Sequence, residues 1–220
     1  MSKNKLLFAF ILLISIKCFS QHKVTDWELK KNENDIAVYT RHAENSAFKE
    51  LKSDITIKTS LSSIIALLTD YESYTKWVYK CGESTTLKKI NDTTCIHYQT
   101  VVAPWPASDR DFVVTIKETQ NPKTKIINIT STCNATYIPN KDGFVRIKNF
   151  NAKWSLTPLK DGLVEIEYQL LVDPGGAIPA WLVNLAVVDG PFETMVGFKK
   201  FIIKDKYQKA KISYIKEPDI

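Results

Sequence analysis

The chain has 220 residues, 44% of them hydrophobic and 25% charged, with 30 Lys plus Arg against 24 Asp plus Glu and only 7 Gly. That balance excludes a disordered chain and collagen-like or low-complexity architectures. Once residues 1–20 are set aside the net charge is +3, spread along the chain with no arginine-rich recognition segment, which argues against a nucleic-acid binder.

Residues 1–20 read as a secretion signal. Lys3 and Lys5 form a basic start, Leu6 to Ile16 an apolar run too short to cross a bilayer comfortably, and Cys18-Phe19-Ser20 the small-residue cleavage region. Cleavage before Gln21 is predicted, so the protein is expected outside the cytoplasm, periplasmic or extracellular. A lipoprotein anchor at Cys18 competes with this reading, but Lys17 directly before it is a poor fit. Removing Lys3, Lys5 and Lys17 lowers the net charge from +6 to +3.

Residues 21–220 show neither a linker nor an internal repeat, and a single domain is expected. A short helix is predicted near Thr25 to Lys31, then strands at Ile36 to His42 and Phe48 to Lys58. Ser60 is placed to cap a helix whose apolar stripe, Leu61, Ile64, Ile65, Leu68 and Tyr71, runs to about Trp77. From Gly82 to Asp173 the period changes to two. Turn signals at Asn91-Asp92, Asn121-Pro122, Lys141-Asp142-Gly143 and Lys160-Asp161-Gly162 separate the strands of an antiparallel meander.

The clearest alternation sets Val164, Ile166, Tyr168, Leu170 and Val172 on one face, against Glu165, Glu167, Gln169 and Asp173. An apolar sheet face needs a cover. A helix from Pro179 through Trp181, Leu182, Leu185, Val188, Phe192, Met195 and Phe198 to Ile202 supplies it. Gly190-Pro191 should kink or break that helix. Lys199, Lys200, Lys204, Lys206, Lys209 and Lys211 crowd its far end, where a transient contact with an acidic membrane surface competes with plain solvation. Cys81, Cys95 and Cys133 survive cleavage as an odd set without metal-ligand company, and no structural disulfide is expected.

Periodicity alone favours a solid interior. The run Pro104-Trp105-Pro106-Ala107-Ser108-Asp109-Arg110-Asp111-Phe112-Val113, however, resembles the signature of START domains, the StAR-related lipid-transfer family. Gly143 to Arg146 followed by Trp154 to Pro158, and Asp173 to Asn184, agree in order and spacing, the last most like the phosphatidylcholine-transfer branch. The resemblance implies an α+β helix-grip fold, a curved antiparallel sheet wrapped around the C-terminal helix with an internal apolar cavity for one lipid-sized molecule. It also makes Gly190-Pro191 a candidate lid hinge, beside the plainer reading of a static kink.

Buried apolar chain at about 0.8 kcal/mol per methylene supplies affinity in such a cavity, and polar groups select the head. Arg110 and Arg146 lie in otherwise apolar strands and each must meet a carboxylate, a carbonyl or a ligand anion. For Arg110 a structural partner among Asp109, Asp111 and Asp173 is favoured; for Arg146 structural and ligand roles are even. Tyr98, Trp105, Trp154, Tyr168, Trp181 and Asn184, with Leu185, Val188 and Met195, are the candidate lining, although each aromatic fits ordinary core equally well.

By resemblance, the positions that hold choline phosphate are occupied here by Tyr74 and Val78, and those of a sterol-type acid–arginine pair by His97 and Ile116, so neither head is implied. The expected function is binding, with transfer, of a lipid or other hydrophobic small molecule by a monomer that needs neither cofactor nor metal. A polyketide cyclase-like enzyme using the same cavity, with His97 as its acid–base group, is the alternative. The usual metal, nucleotide and hydrolase motifs do not occur.

Overall fold

The computed structural model describes residues 26–176, 178, 183–184 and 187–218. The leader-like segment, Pro179, Trp181 and Leu185 lie outside them.

The first element differs from expectation. Residues Glu28–Glu33 form a strand, β1, and not a helix, because Asn34 and Asp35, at φ 54° and 57°, fold the chain straight back onto β2 (Ile36–His42). Two consecutive left-handed residues make the tight turn that matches strand twist. The charged sequence of β1 suits an open sheet edge, where it discourages pairing with another chain. β3 (Lys49–Lys58) follows, and after it Ser60 caps α1 (Leu61–Leu68), its Oγ accepting from Ser63 N at 3.0 Å. The Glu217 carboxylate accepts from Leu61 N and Ser62 N at 2.9 and 2.8 Å, so the C-terminal tail closes the same helix end.

The apolar stripe from Leu61 to Trp77 is divided. Asp70 leaves helical geometry, with ψ 66°, and spends its carboxylate on Lys206 and the Tyr207 hydroxyl, each at 2.7 Å. A single 3-10 turn at Tyr71–Ser73 then leads into α2 (Tyr74–Trp77). The stripe survives because a 3-10 turn advances the side chains by nearly the same angle per residue.

The meander follows as β4 (Cys81–Asn91), β5 (Thr94–Val101), β6 (Asp109–Gln120), β7 (Ile127–Cys133), β8 (Phe144–Arg146), β9 (Asn149–Pro158) and β10 (Leu163–Asp173). All strands join one sheet in the order β1-β2-β3-β10-β9-β7-β6-β5-β4. Pairing is antiparallel except for short β8, which lies parallel to β6 with Asp111 opposite Arg146. The helix that closes the concave side, α3 (Asp189–Ile202), is followed by α4 (Asp205–Gln208).

Gly190-Pro191 falls in the first turn of α3, which begins at Asp189. Proline costs little there because the amide it lacks has no helical acceptor. Phe192, Met195, Phe198 and Ile202 of α3 are buried against the sheet with Leu61, Ile64, Ile65 and Trp77. The curved sheet gripping this helix is the helix-grip architecture expected from the resemblance. Cys81, Cys95 and Cys133 are free thiols. No helix among the described residues is long and apolar enough to cross a membrane.

Candidate functional site

Strand parity decides which side chains enter the space between sheet and helix. In β6 the even-numbered residues Arg110, Phe112, Val114 and Ile116 face inward, and their partners on β5 are Val101, Gln99, His97 and Cys95. Facing them across the interior are Phe150, Ala152 and Trp154 of β9 and Tyr168, Leu170 and Val172 of β10. Together with Trp77 and the start of α3 these residues bound a cavity of about 310 Å3, at the small end of the usual range for small-molecule sites. The side chains of the described residues therefore do not fill the cavity.

Its lining is mostly hydrocarbon; besides Ser131 of β7 and Thr194 of α3, three polar residues form one patch on β5 and β6. Arg110, 6% exposed, donates through Nη1 to the Ser108 carbonyl and through Nε at 3.4 Å to the Pro174 carbonyl. Burial pulls the guanidinium below its ordinary value, opposed by Asp109. Among the described residues it pairs with no carboxylate: Asp109 accepts from Ala103 N at 2.9 Å, Asp173 from Gly175 N at 2.9 Å, and Asp111 belongs to Arg146. The structural role expected for Arg110 is thus not supplied by those three aspartates, because alternation sends Asp109 and Asp111 to the opposite face.

His97 is the second. Its ring lies 4.6 Å from that of Tyr71, its Nε2 is 3.2 Å from Ser84 Oγ, and its Nδ1 has no hydrogen-bond partner among the described residues. Desolvation pushes its pKa down to about 4, with a smaller opposing effect from Gln99, so the imidazole is neutral at physiological pH. Gln99, the third, lies beside it along β5.

Burial of His97 predicts acid sensitivity. The unfolded imidazole takes up a proton near pH 6.5 that the folded one refuses until about 4. This contribution is complete above 6.5 and is lost as pH falls toward 4, by about 3 kcal/mol. Chemical denaturation of the wild type and His97→Gln at pH 7 and pH 4.5 should show the wild type losing more stability between them; parallel losses would contradict the assignment.

The other sequence-predicted residues divide. Trp154 and Tyr168 line the cavity with ring centroids 4.4 Å apart, and Tyr74 and Val78 line it too. Tyr98 does not. It is buried on the outer face of β5 beside Ile96 and Val113, under Lys141, whose Nζ is 4.0 Å from the ring centroid. Trp105 is 92% exposed in the β5–β6 loop.

Arg146 is structural. It lies behind the sheet, donating to both Asp111 oxygens at 2.9 and 2.8 Å and to the carbonyls of Ala135, Ile138 and Pro139. Asn184 ties its segment to the start of β3, accepting from Lys49 N at 3.0 Å and donating to the Ala47 carbonyl at 3.2 Å. Val188 caps α3 and Met195 is core. The sequence reading did not list Gln99, Phe112 or Phe150; continuing the alternation from Arg110 and Trp154 reaches the two phenylalanines.

The family model described as START domain matches residues 23–204. An uncharacterized protein of Pseudomonas aeruginosa is 32% identical over 174 residues, 79% of this chain and 85% of that protein. The phosphatidylcholine transfer protein of Rattus norvegicus is 26% identical over 172 residues, 75% and 78% of the two chains. Among solved structures, a STAR-related lipid transfer protein from Xanthomonas axonopodis superimposes with a TM-score of 0.75 at 32% identity, covering 81% of this chain and 99% of that one.

Proposed function

We propose, proceeding from the fact that the chain belongs to the START domain family, that it binds and carries one single-chain amphiphile with an anionic head, of the fatty-acid class. The observation that carries this is Arg110: a buried guanidinium facing an apolar cavity, without a carboxylate partner among the described residues. Burying a charge is costly unless it is paired, and a ligand anion completes the pair. His97 Nδ1, likewise without a hydrogen-bond partner among the described residues, and Gln99 stand on the same wall for a second head-group contact. At about 310 Å3 the cavity lies at the small end of the range for small-molecule sites, which favours one chain over the bulk of a two-tailed phospholipid.

A binder fits these groups better than a cyclase. An imidazole held near pKa 4 is a weak base at neutral pH, and among the described residues no other histidine lines the cavity. The setting we propose is outside the cytoplasm, on the character of residues 1–20. Loading from a membrane is supported by exposed Trp105, an aromatic suited to the interfacial region. The lysines of the C-terminal end support it less: Lys199, Lys206 and Lys209 are already paired with Asp35, Asp70 and Asp205.

Arg110→Leu should weaken binding of a saturated fatty acid by about tenfold or more while leaving the matching fatty alcohol nearly unchanged, as expected for one lost charge-assisted contact. Isothermal titration or displacement of a fluorescent fatty acid measures both. Equal loss for acid and alcohol would show that Arg110 supports the wall and does not read the head.

A further inference from the structure

The inward face of β6 does not end at the cavity. Beyond Ile116 the next inward residue is Glu118, 6% exposed, which faces a second chamber of about 330 Å3 under Tyr71 and the C-terminal Tyr214. Tyr74, Ile116, Ser131 and Trp154 line both chambers, so the two adjoin there and any passage between them is a constriction bounded by these four. A cationic side chain and an acidic one therefore stand at opposite ends of one strand face, with only Phe112, Val114 and Ile116 between them.

We infer that β6 is a ruler for a ligand with two polar ends: an anionic head at Arg110, an apolar chain through the constriction, and a hydrogen-bond-donating terminus, such as an ω-hydroxyl, at Glu118. This rests on the reading of Arg110 given above.

Length and volume agree. The register of β6 with β5 and β7 is unbroken, so eight residues at ~3.3 Å each separate the two sites by about 26 Å. Zigzag carbon–carbon bonds of ~1.5 Å cover that distance in about twenty carbons, and the inward reach of the two side chains shortens the requirement to roughly sixteen to eighteen. The two chambers, about 330 and about 310 Å3, together fall within the usual range for a site that holds one small molecule.

Glu118 is also suited to receive a donor. A carboxylate has about four lone-pair sites, and the Tyr214 hydroxyl takes up only part of that capacity. Desolvation holds the acid up at about 7, with Tyr214 opposing, so near neutral pH a donor can recruit the charged form.

Titrating the full-length mature protein with a saturated fatty acid of about eighteen carbons, its ω-hydroxy counterpart, and the corresponding alcohol tests the inference. The ω-hydroxy acid should bind about tenfold more tightly than the plain acid. Glu118→Leu should abolish that preference while the plain acid keeps its affinity, and Glu118→Gln, which retains an acceptor, should keep part of it. No preference in the wild type, or one that persists in Glu118→Leu, overturns the ruler while leaving the Arg110 site intact. Failure of both acids to bind overturns the ruler together with the proposed function.

Discussion

Replacing Asp111 by alanine is expected to cost 3–5 kcal/mol, among the largest effects any single substitution should have here. The pair it breaks is nearly dry: the side chains of Arg146 and Asp111 are 3% and 1% exposed. Asp111 accepts both arms of the guanidinium, and three carbonyls take its remaining protons. Without Asp111 the charge stays buried and its carbonyl neighbours cannot neutralise it.

For a domain of this size the loss corresponds to a drop in Tm of about 6–20 °C. The double variant Asp111→Leu with Arg146→Met should recover most of it, since a well-packed apolar pair often equals a buried ion pair. A melting temperature for Asp111→Ala within about 2 °C of the wild type would contradict this account. Ligand affinity of the folded fraction should be unchanged, because the pair lies on the opposite side of the sheet from the cavity.

The second large effect is expected at Gly197. A Cβ built there would sit 2.2 Å from the Trp77 carbonyl oxygen and 3.0 Å from its carbonyl carbon. The obstacle is backbone and cannot rotate aside, so α3 must lift off α2. Overpacking of this kind costs 1–3 kcal/mol, and a backbone obstacle places it near the top of that range.

Alanine gains about 1 kcal/mol over glycine in a helix interior, leaving a net loss of about 2 kcal/mol. Binding should weaken as well, since Trp77 lines the cavity. Gly190→Ala is the control: its Cβ would meet Tyr79 Cδ1 at an ordinary 3.6 Å, so stability should hold. If chemical denaturation finds Gly197→Ala as stable as Gly190→Ala, the close approach of α3 to α2 is wrong.

Much of the architecture was legible from period and punctuation. β2 occupies the expected Ile36–His42, and the turns at Asn91-Asp92, Asn121-Pro122 and Lys160-Asp161-Gly162 fall between strands, because turn residues and alternation act locally. The failures have physical reasons as well. Thr25 to Lys31 lacks an apolar stripe, and the hairpin at Asn34-Asp35 overrode its weak helical signal. The candidate lining mixed parities: Arg110 pairs with Val101 across β5–β6 and Tyr98 with Val113, so both cannot face inward. Choosing aromatics as lining selected Tyr98 and Trp105, whereas orientation set by register selects Gln99 and Phe112. Glu118 was passed over because a charged residue late in a strand reads as solvent-facing until the tail bearing Tyr214 is seen above it.

The central claim is that the hollow between sheet and helix holds one single-chain anionic amphiphile. Native mass spectrometry of the protein purified without detergent, with solvent extraction and identification of whatever dissociates, addresses it most directly. The account predicts one ligand per chain, a single-chain acid, displaced stoichiometrically by added fatty acid and retained poorly by Arg110→Leu. A protein that emerges empty and takes up no added fatty acid, or one that carries a two-tailed phospholipid whose retention ignores Arg110, would contradict it.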